Sequence, residues 1–573
     1  MMTHENNAIP INILRPGVVP IALSLARVAG IREIVEHAVG WKPTNREISL
    51  GILVESLVAA LLSGCRPLYK LEQFWQENKA ADLFYKNDGI CGHQLNDDAY
   101  ARMLDRLSSL DCRRLVESVC LRMLQYHGLS IVLAHSDTTS VSVEGVYATD
   151  ENGSPSQETI FTINHGHSKD GRPDLKQIKV GLAVQEDGLP ISGELLSGNE
   201  PDQNWNPQTV EELSDMLLNN NYKNVVFIAD SALVSTQSLK NLAKREVQFI
   251  SRMPETFNIV EELKTQAWAE NNWENIGVLA ENKKNAAHYY AWKSESEIEG
   301  ERFGFVVVHS SKLEERKEKT LRKAVENLSK VLKRRSEELA KKDYACEEDA
   351  RQEGQKLQAE AEKKGFDSEL DTKPLETMNF GRKGRPAKGT EGVKLVKWRA
   401  IVNIGGIKAE VFDRKKKHAS TFILIHRLKE EKSAEDILMS YKNQNQVEQG
   451  FRFMKQPQYL GPIYTKKPNR VEALGYIFLL VLLLAKYLEY RVRLGMERSC
   501  GTLKIGGQKV PRPSTKTILE ILSEMLIYSL NGELKLPANI PKDALNIIHW
   551  AGFDEQIYIC GYTEDHFVRK YFN

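Results

Sequence analysis

The chain of 573 residues carries 78 Lys and Arg against 77 Asp and Glu, a formal net charge of +1. That balance excludes a global basic field, so a nucleic-acid partner would have to be met by local patches. With 41% hydrophobic and 27% charged residues, the composition excludes a disordered or fibrous chain, and the length allows roughly two to four domains around a large core. Seven cysteines (Cys65, Cys91, Cys112, Cys120, Cys346, Cys500 and Cys560) form no C-x-x-C pair. Their irregular spacing points away from a zinc site or a disulfide framework and toward reduced thiols in a cytoplasmic protein. The opening MMTHENNAIPINIL lacks the basic start, apolar run and cleavage site of a signal peptide.

Residues 1–128 are expected to form an α-helical N-terminal domain, a candidate for DNA binding. ILVESLVAALLSG and DDAYARMLDRLSSL place apolar residues three and four apart. The texture changes over 129–252. IVLAHSDTTSVSV (131–143) and KQIKVGLAVQ (176–185) read as strands, followed by a turn at Asp187-Gly188-Leu189-Pro190. A helix is predicted near 209–218, a strand at 225–230, a short helix near 236–244 and a strand at 247–251. Strands alternating with helices predict an α/β layer with a mixed sheet. Residues 253–430 interrupt this pattern and read as an insertion domain, with strands expected at 288–292, 303–309, 399–404 and 422–426. Inside it, 311–365 holds 16 Lys and Arg and 13 Asp and Glu in 55 residues, the composition of a solvated helix or helical hairpin. The α/β pattern resumes over 431–490 with one helix predicted from 434 to 455, capped by Ser433 with Asp436 and ended by Pro457. The apolar run ALGYIFLLVLLLA follows at 473–485. Its 13 residues fall short of the about 20 that span a bilayer, so a buried core helix is expected and no membrane partner. Residues 491–573 read as mainly helical.

In the helix predicted over 434–455, Tyr441, Gln444, Glu448 and Lys455 lie at offsets 0, 3, 7 and 14. At about 100° per residue these share one face, and Arg452 joins them. A carboxylate flanked by a phenol and two cations suits a metal ligand beside a phosphate backbone. The plainer alternative is a solvated face with Glu448 paired to Arg452. Asp137 lies within an apolar strand and Asp230 ends VVFIAD. A carboxylate in such a place is costly unless it is paired, hydrogen-bonded or bound to a cation, and open α/β sheets collect ligands at strand ends. One such aspartate is often a cap or turn residue; two, with Glu448 on a following helix, favour a metal site. Three carboxylates suit two Mg2+ or Mn2+ ions about 3.5–4 Å apart that drive an in-line phosphoryl displacement.

The row Tyr441, Gln444, Glu448, Lys455 resembles the Tyr-Arg-Glu-Lys signature of bacterial DDE transposases of insertion-sequence family four. HSDTTS (135–140), SKDGRPDLKQ (168–177), GLP (188–190), SGNEPD (197–202), FIADSALVS (227–235) and LNDDAYARMLDRL (95–107) resemble in particular its subgroup numbered sixteen-thirty-four. The resemblance runs from about residue 10 to the C-terminus. It implies a ribonuclease H-like core whose catalytic and metal-binding triad is Asp137, Asp230 and Glu448. The gap from 230 to 448 is where that family carries a largely β insertion domain. One position departs: the signature arginine is Gln444, and Arg452 on the same face is the expected substitute. Tyr441, Gln444, Arg452 and Lys455 are then expected at DNA phosphates. The implied activity is nicking at the terminal inverted repeats of an insertion sequence and joining of the 3′ ends to target DNA. The implied partners are double-stranded DNA and a second copy of the chain in the DNA complex, in the cytoplasm and on the nucleoid. The alternative is an impaired or repurposed transposase that only binds DNA; a third reading is a metal-dependent nuclease without joining activity.

Weaker signals remain. GRKGRPAK (381–388) is read first as a linker and second as a minor-groove contact. DRKKKH (413–418) reads as a hairpin turn, and Lys466, Lys467 and Arg470 as a solvated loop or a backbone contact. His165 and His167 have no third ligand at credible spacing, so a metal there is not expected. Asp170, Asp174, Glu194, Glu200 and Asp202 are rival carboxylates in turn-like stretches, Asp202 being the one expected nearest the site.

Overall fold

A computed structural model describes residues 11–42, 47–64, 67–126, 128–145, 147, 161–279, 286–379, 393–456 and 467–563. Cys65, the basic segment 381–388, Pro457 and Lys466 lie outside the described residues. The chain forms two compact units, one of Met1–Ser251, Arg427–Glu430 and Ser440–Asn573, the other of Arg252–His426 and Glu431–Met439.

The first unit opens with strand β1 (Ile11–Leu14), which pairs antiparallel with a strand at Ile527–Leu530. Helices α1 (Val19–Ala29), α2 (Ile31–Ala38), α3 (Leu50–Leu62), α4 (Leu71–Asn78), α5 (Ala80–Phe84), α6 (Asp97–Leu107) and α7 (Cys112–Tyr126) follow. Local chemistry sets their ends. The Ser49 hydroxyl accepts from the Ile52 amide at 3.1 Å to start α3, and the Asn96 side chain accepts from the Ala99 amide at 3.0 Å to start α6. All thirteen residues of α3 are buried, so it is a core helix and not an amphipathic surface one.

The sheet of this unit begins with β2 (Leu133–Val143), β3 (Lys176–Gln185) and β4 (Pro190–Leu196). It continues through α8 (Asp202–Asn219), β5 (Val226–Ala229), α9 (Thr236–Lys244) and β6 (Gln248–Arg252). The strand order is β4-β3-β2-β5-β6. β3 runs antiparallel to both β2 and β4, whereas β5 is parallel to β2 and β6 to β5. This is the mixed α/β sheet expected from sequence. The β4 strand was not anticipated: PISGELL opens on proline and carries a central glycine, both depleted in strands. Helix α8 begins seven residues before the predicted 209. Pro207 lies inside it and reads as a breaker, but Trp205 and Asn206 are buried and hydrogen-bonded to Glu194 and Asp230, which holds the helix through the lost amide.

The second unit contains α10 (Asn258–Glu270), β7 (Glu274–Val278), β8 (His288–Ile298), β9 (Glu301–Ser310), α11 (Ser311–Leu339), α12 (Glu347–Lys363), β10 (Phe366–Asn379), β11 (Val393–Ile407), α13 (Ala409–Ala419) and β12 (Thr421–Arg427). Four strands are ordered β12-β9-β8-β7, and β10 and β11 form a separate long antiparallel ribbon. The charged stretch forms α11 and α12, which bury Leu332, Leu357 and Ala361 against Phe366, Ala400 and Val402 of the ribbon. The turn expected at 413–418 is instead part of α13. That stretch has no glycine or proline to break a helix, and Asp413 pairs with Lys417 at 2.9 Å one turn on.

The single helix predicted over 434–455 is two: α14 (Ala434–Lys442) and α15 (Asn445–Met454). The break falls at Asn443-Gln444, where i to i−3 bonds (Gln446 N to Asn443 O, Val447 N to Gln444 O) tighten the backbone. Asparagine side chains compete with the helical ladder, the physical reason for a break here. Helix α16 (Pro468–Arg498) follows and is longer than the 473–485 run. Its 31 residues are apolar enough to cross a membrane, but 94% of the most apolar window is buried inside the protein, the setting of a core helix. The C-terminal stretch adds short strands to the helices expected there.

Close approaches seat the helices on the sheet. A Cβ at Gly181 of β3 would lie 2.2 Å from the Trp205 ring of α8, and a Cβ at Gly450 of α15 would lie 3.0 Å from Leu182 of β3. Adjacent strand residues point to opposite faces, so α8 covers one face of β3 and α15 the other. Gly181→Ala is expected to cost ~1–3 kcal/mol by forcing Trp205 aside. Chemical denaturation measures this, and an unchanged midpoint would mean that α8 does not seat there.

Candidate active site

The parallel pairing of β2 with β5 sets the site. Leu133 pairs with Val226 and His135 with Ile228. The pairing ends there, Asp137 and Asp230 each follow two residues on, and they lie near enough for the charge of Asp230 to act on the Asp137 carboxyl. Asp137 pairs directly across β3 with Leu182 and shares its face, the face that Gly450 of α15 packs against.

Each aspartate is partly buried and held from its own backbone. Asp137 accepts from the Thr138 amide at 2.7 Å. Asp230 accepts from the Ala232 amide at 3.0 Å and from the Asn206 side chain at 2.9 Å, so it caps the short turn after β5. The Ser251 hydroxyl donates to the Asp230 carbonyl at 2.7 Å.

Asp202, at the start of α8, is the third carboxylate here. It accepts from the Thr138 hydroxyl at 2.7 Å and from the ammonium of Lys179, a buried lysine in the apolar run of β3. Lys169 completes the cluster. Its Nζ lies 2.8 Å from the Thr138 carbonyl, 3.1 Å from the Thr138 hydroxyl, 3.2 Å from Asp202 and 3.8 Å from Asp137. Burial pushes the Asp137 carboxyl up to about 6; Lys169 and the Thr138 amide oppose this, and the charges of Asp230 and Asp202 add to it. Asp230 is raised by burial and by Asp202. At Asp202 burial also pushes upward, but Lys179, Thr138 and Lys169 outweigh it and hold the carboxyl below its ordinary value. Carboxylates that raise one another, with an ammonium lodged among them, form a site whose chemistry favours a further cation.

Asp137 and Asp230 are therefore brought together, and Glu448 is not drawn in with them. It is exposed on α15, flanking the buried stripe of Val447, Gly450, Phe451 and Met454. No three His, Cys, Asp or Glu side chains among the described residues stand close enough to hold a metal ion. The break in the helix also separates the row of four: Tyr441 belongs to α14, Gln444 caps α15 and Lys455 ends it. Gln444 Nε2 is buried without a hydrogen-bond partner among the described residues. Arg452 is exposed, and Lys455 pairs with Asp170 at 2.5 Å.

The other signals resolve as ordinary structure. Asp174 pairs with Arg172, Glu194 with Arg113, and Arg470 with Asp105; His165 and His167 are exposed. Lys169, Lys179, Thr138 and Asn206 were not singled out from sequence. Lys179 carried a signal, since a charge amid KVGLAV has to find a partner. Lys169 carried none, because its partners lie some thirty residues away in the chain and meet it only through the fold.

A family model described as a transposase DDE domain matches residues 137–484, and one described as a domain of unknown function (DUF4277) matches residues 17–121. No curated protein matches. Among solved structures, a cryo-electron microscopy structure of a piggyBac transposase synaptic complex with hairpin DNA is 8% identical, over 90% of this chain and 82% of that one, with a TM-score of 0.35. A likeness that slight carries no argument.

The Asp137 carboxyl, at about 6, binds its proton more tightly in the folded chain than in the unfolded one, where it titrates at about 3.9. Folding stability from this group is thus fully present below about pH 4 and lost as pH rises through 4 to 6. Asp137 keeps 32% of its side chain exposed. With that solvent screening, Asp137→Asn without metal is expected to gain on the order of 1 kcal/mol at pH 7 and almost nothing at pH 4. Thermal unfolding across that range tests it; a gain independent of pH would contradict the assignment.

Proposed function

This chain belongs to the transposase DDE-domain family, and we propose that it is a metal-dependent DNA transposase that cuts at the terminal inverted repeats of its insertion sequence and joins the 3′ ends to target DNA. The observation that supports the reading is the parallel pairing of β2 with β5, after whose ends Asp137 and Asp230 come near enough to influence each other's charge, with the Lys169 ammonium among the Asp137 and Asp202 carboxylates. The strand order β4-β3-β2-β5-β6, three antiparallel strands followed by two parallel ones, supports a ribonuclease H-like core. Its sequence likeness is to transposases of insertion-sequence family four.

DDE transposases use divalent metals as a family, and the donors here are hard carboxylate oxygens suited to Mg2+ or Mn2+. Asp137 and Asp230 would hold the metal, and Glu448, on the helix that covers the Asp137 face, is the third ligand of the proposed two-ion site. Bound there, the metal would supply Lewis-acid activation of a water or a 3′-hydroxyl and stabilise the leaving oxygen. The chain's own residues do the positioning. Lys455 and Arg452 engage phosphate oxygens, with Tyr441 and Gln444 on the strand entering the site. Gln444 brings an amide where the signature brings a charge, and its Nε2 is buried without a hydrogen-bond partner among the described residues. The helical segment 17–121 is the candidate reader of the terminal repeats, and pairing two DNA ends calls for two copies of the chain.

The test is a cleavage assay with Mg2+ or Mn2+ on a labelled duplex spanning the DNA end beside the gene. Wild type is expected to cut at the repeat boundary, while Asp230→Asn and Glu448→Gln fall to background and still bind. Binding without cutting by all three proteins would favour a DNA-binding role, with Gln444→Arg as the variant to restore cutting.

A further inference from the structure

The loop at 168–172 reaches the site with two adjacent charges that point to different targets. Ser168 accepts from the Asp170 and Arg172 amides at 3.2 and 3.1 Å, closing a tight turn. The Ser140 hydroxyl of β2 accepts from the Lys169 amide at 2.7 Å, which fixes the turn to the strand that carries Asp137. From this anchor the Lys169 ammonium places its three protons among Thr138 and Asp202, 3.8 Å from Asp137. The next residue, Asp170, takes Lys455 at the end of α15. One turn therefore holds a cation where the carboxylates gather and an anion on the lysine that ends the helix of Glu448.

These placements mimic ligands. The ammonium sits as a cation beside carboxylate oxygens, and the Asp170 carboxylate meets Lys455 as a phosphate oxygen would. Neither contact is buried: Lys169 keeps 34% of its side chain exposed, Asp170 26% and Lys455 28%. Exposed pairs of this kind are worth little singly, so both can exchange for better partners.

We propose that Lys169 and Asp170 form a two-residue latch on the cation and phosphate positions of the site, and that a divalent ion and DNA displace it together. The inference rests on Asp137 and Asp230 being metal ligands. Lys169 balances the carboxylates until a metal enters; its departure loosens the turn and frees Lys455 from Asp170. Metal and DNA backbone then bind with positive coupling through one turn of chain.

The experiment uses the full-length protein and measures Mn2+ binding by calorimetry, with no turnover needed. Lys169→Met removes the competing charge and is expected to bind Mn2+ on the order of tenfold more tightly than wild type, while Lys169→Arg stays within about twofold of it. Equal or weaker binding by Lys169→Met overturns the latch. If wild-type binding is insensitive to Asp137→Asn, the metal-ligand reading falls and takes the latch with it; if it is sensitive and Lys169→Met changes nothing, the latch alone falls. Asp170→Asn tests the other arm away from the carboxylates, whether or not Lys169→Met folds. Without metal it is expected to bind a random-sequence duplex more tightly, with a salt dependence steeper by about one phosphate contact, and Mn2+ should bring wild type to the same slope. An Asp170→Asn slope equal to that of metal-free wild type overturns the coupling.

Discussion

The pairing of β2 with β5 is the constraint from which the site follows. A parallel pair fixes which residues lie abreast as far as it runs, so choosing Leu133 opposite Val226 brings the two strand ends, and the aspartates that follow them, into one region. β5 is only four residues long, and its end matters as much as its register. Asp230 turns out of the strand by capping the following turn with its own carboxylate, which leaves β2 to run on without a strand partner on that edge among the described residues. The open edge is where Lys169 reaches the Thr138 carbonyl. Repulsion between neighbouring carboxylates costs stability, and the sheet tolerates it only because two lysines stand against three aspartates.

The helices on both faces serve that arrangement. On one side Trp205 fits over Gly181 and brings Asn206 to Asp230 and Asp202 to Thr138 and Lys179. On the other, Gly450 lets α15 lie directly on Leu182, the residue opposite Asp137. Behind α15, α16 fills the core of the unit. Small residues at the contacts and large apolar ones behind them hold the carboxylates rigidly without burying them completely, as a site that must exchange cations requires.

The parts of this legible in the sequence were those with local signals. Runs such as IVLAHSDTTSVSV and VVFIAD declare buried strands by composition alone, and an aspartate inside or at the end of one stands out as an expense needing a reason. The predicted strands lie within a few residues of the observed β2, β3, β5 and β6. What escaped was whatever depended on distant partners or on competing local rules. β4 was hidden by its proline and glycine, and the start of α8 by Pro207, whose lost hydrogen bond is outweighed by burial of Trp205. The helix over 434–455 was drawn through Asn443-Gln444 because the spacing of Tyr441, Glu448 and Lys455 is helical. Spacing cannot register a backbone that tightens for three residues and starts again. Lys169 could not be singled out by any local rule, since its role exists only after β2 and α8 have brought Thr138 and Asp202 together.

The break before α15 changes what Glu448 has to do. On one unbroken helix, Tyr441, Glu448 and Lys455 would be fixed relative to one another, and the carboxylate could reach the aspartates only if the phosphate contacts moved with it. As a ten-residue helix of its own, α15 is held by its apolar stripe on the sheet at one side and by the Lys455–Asp170 pair at its end. The stripe is apolar and fixes position; the ion pair is exposed and fixes little. Glu448 lies on the flank between them, exposed and free of any ion pair among the described residues. It is the carboxylate of the proposed triad with no lysine charge near it among the described residues, whereas Lys169 already acts on both Asp137 and Asp230.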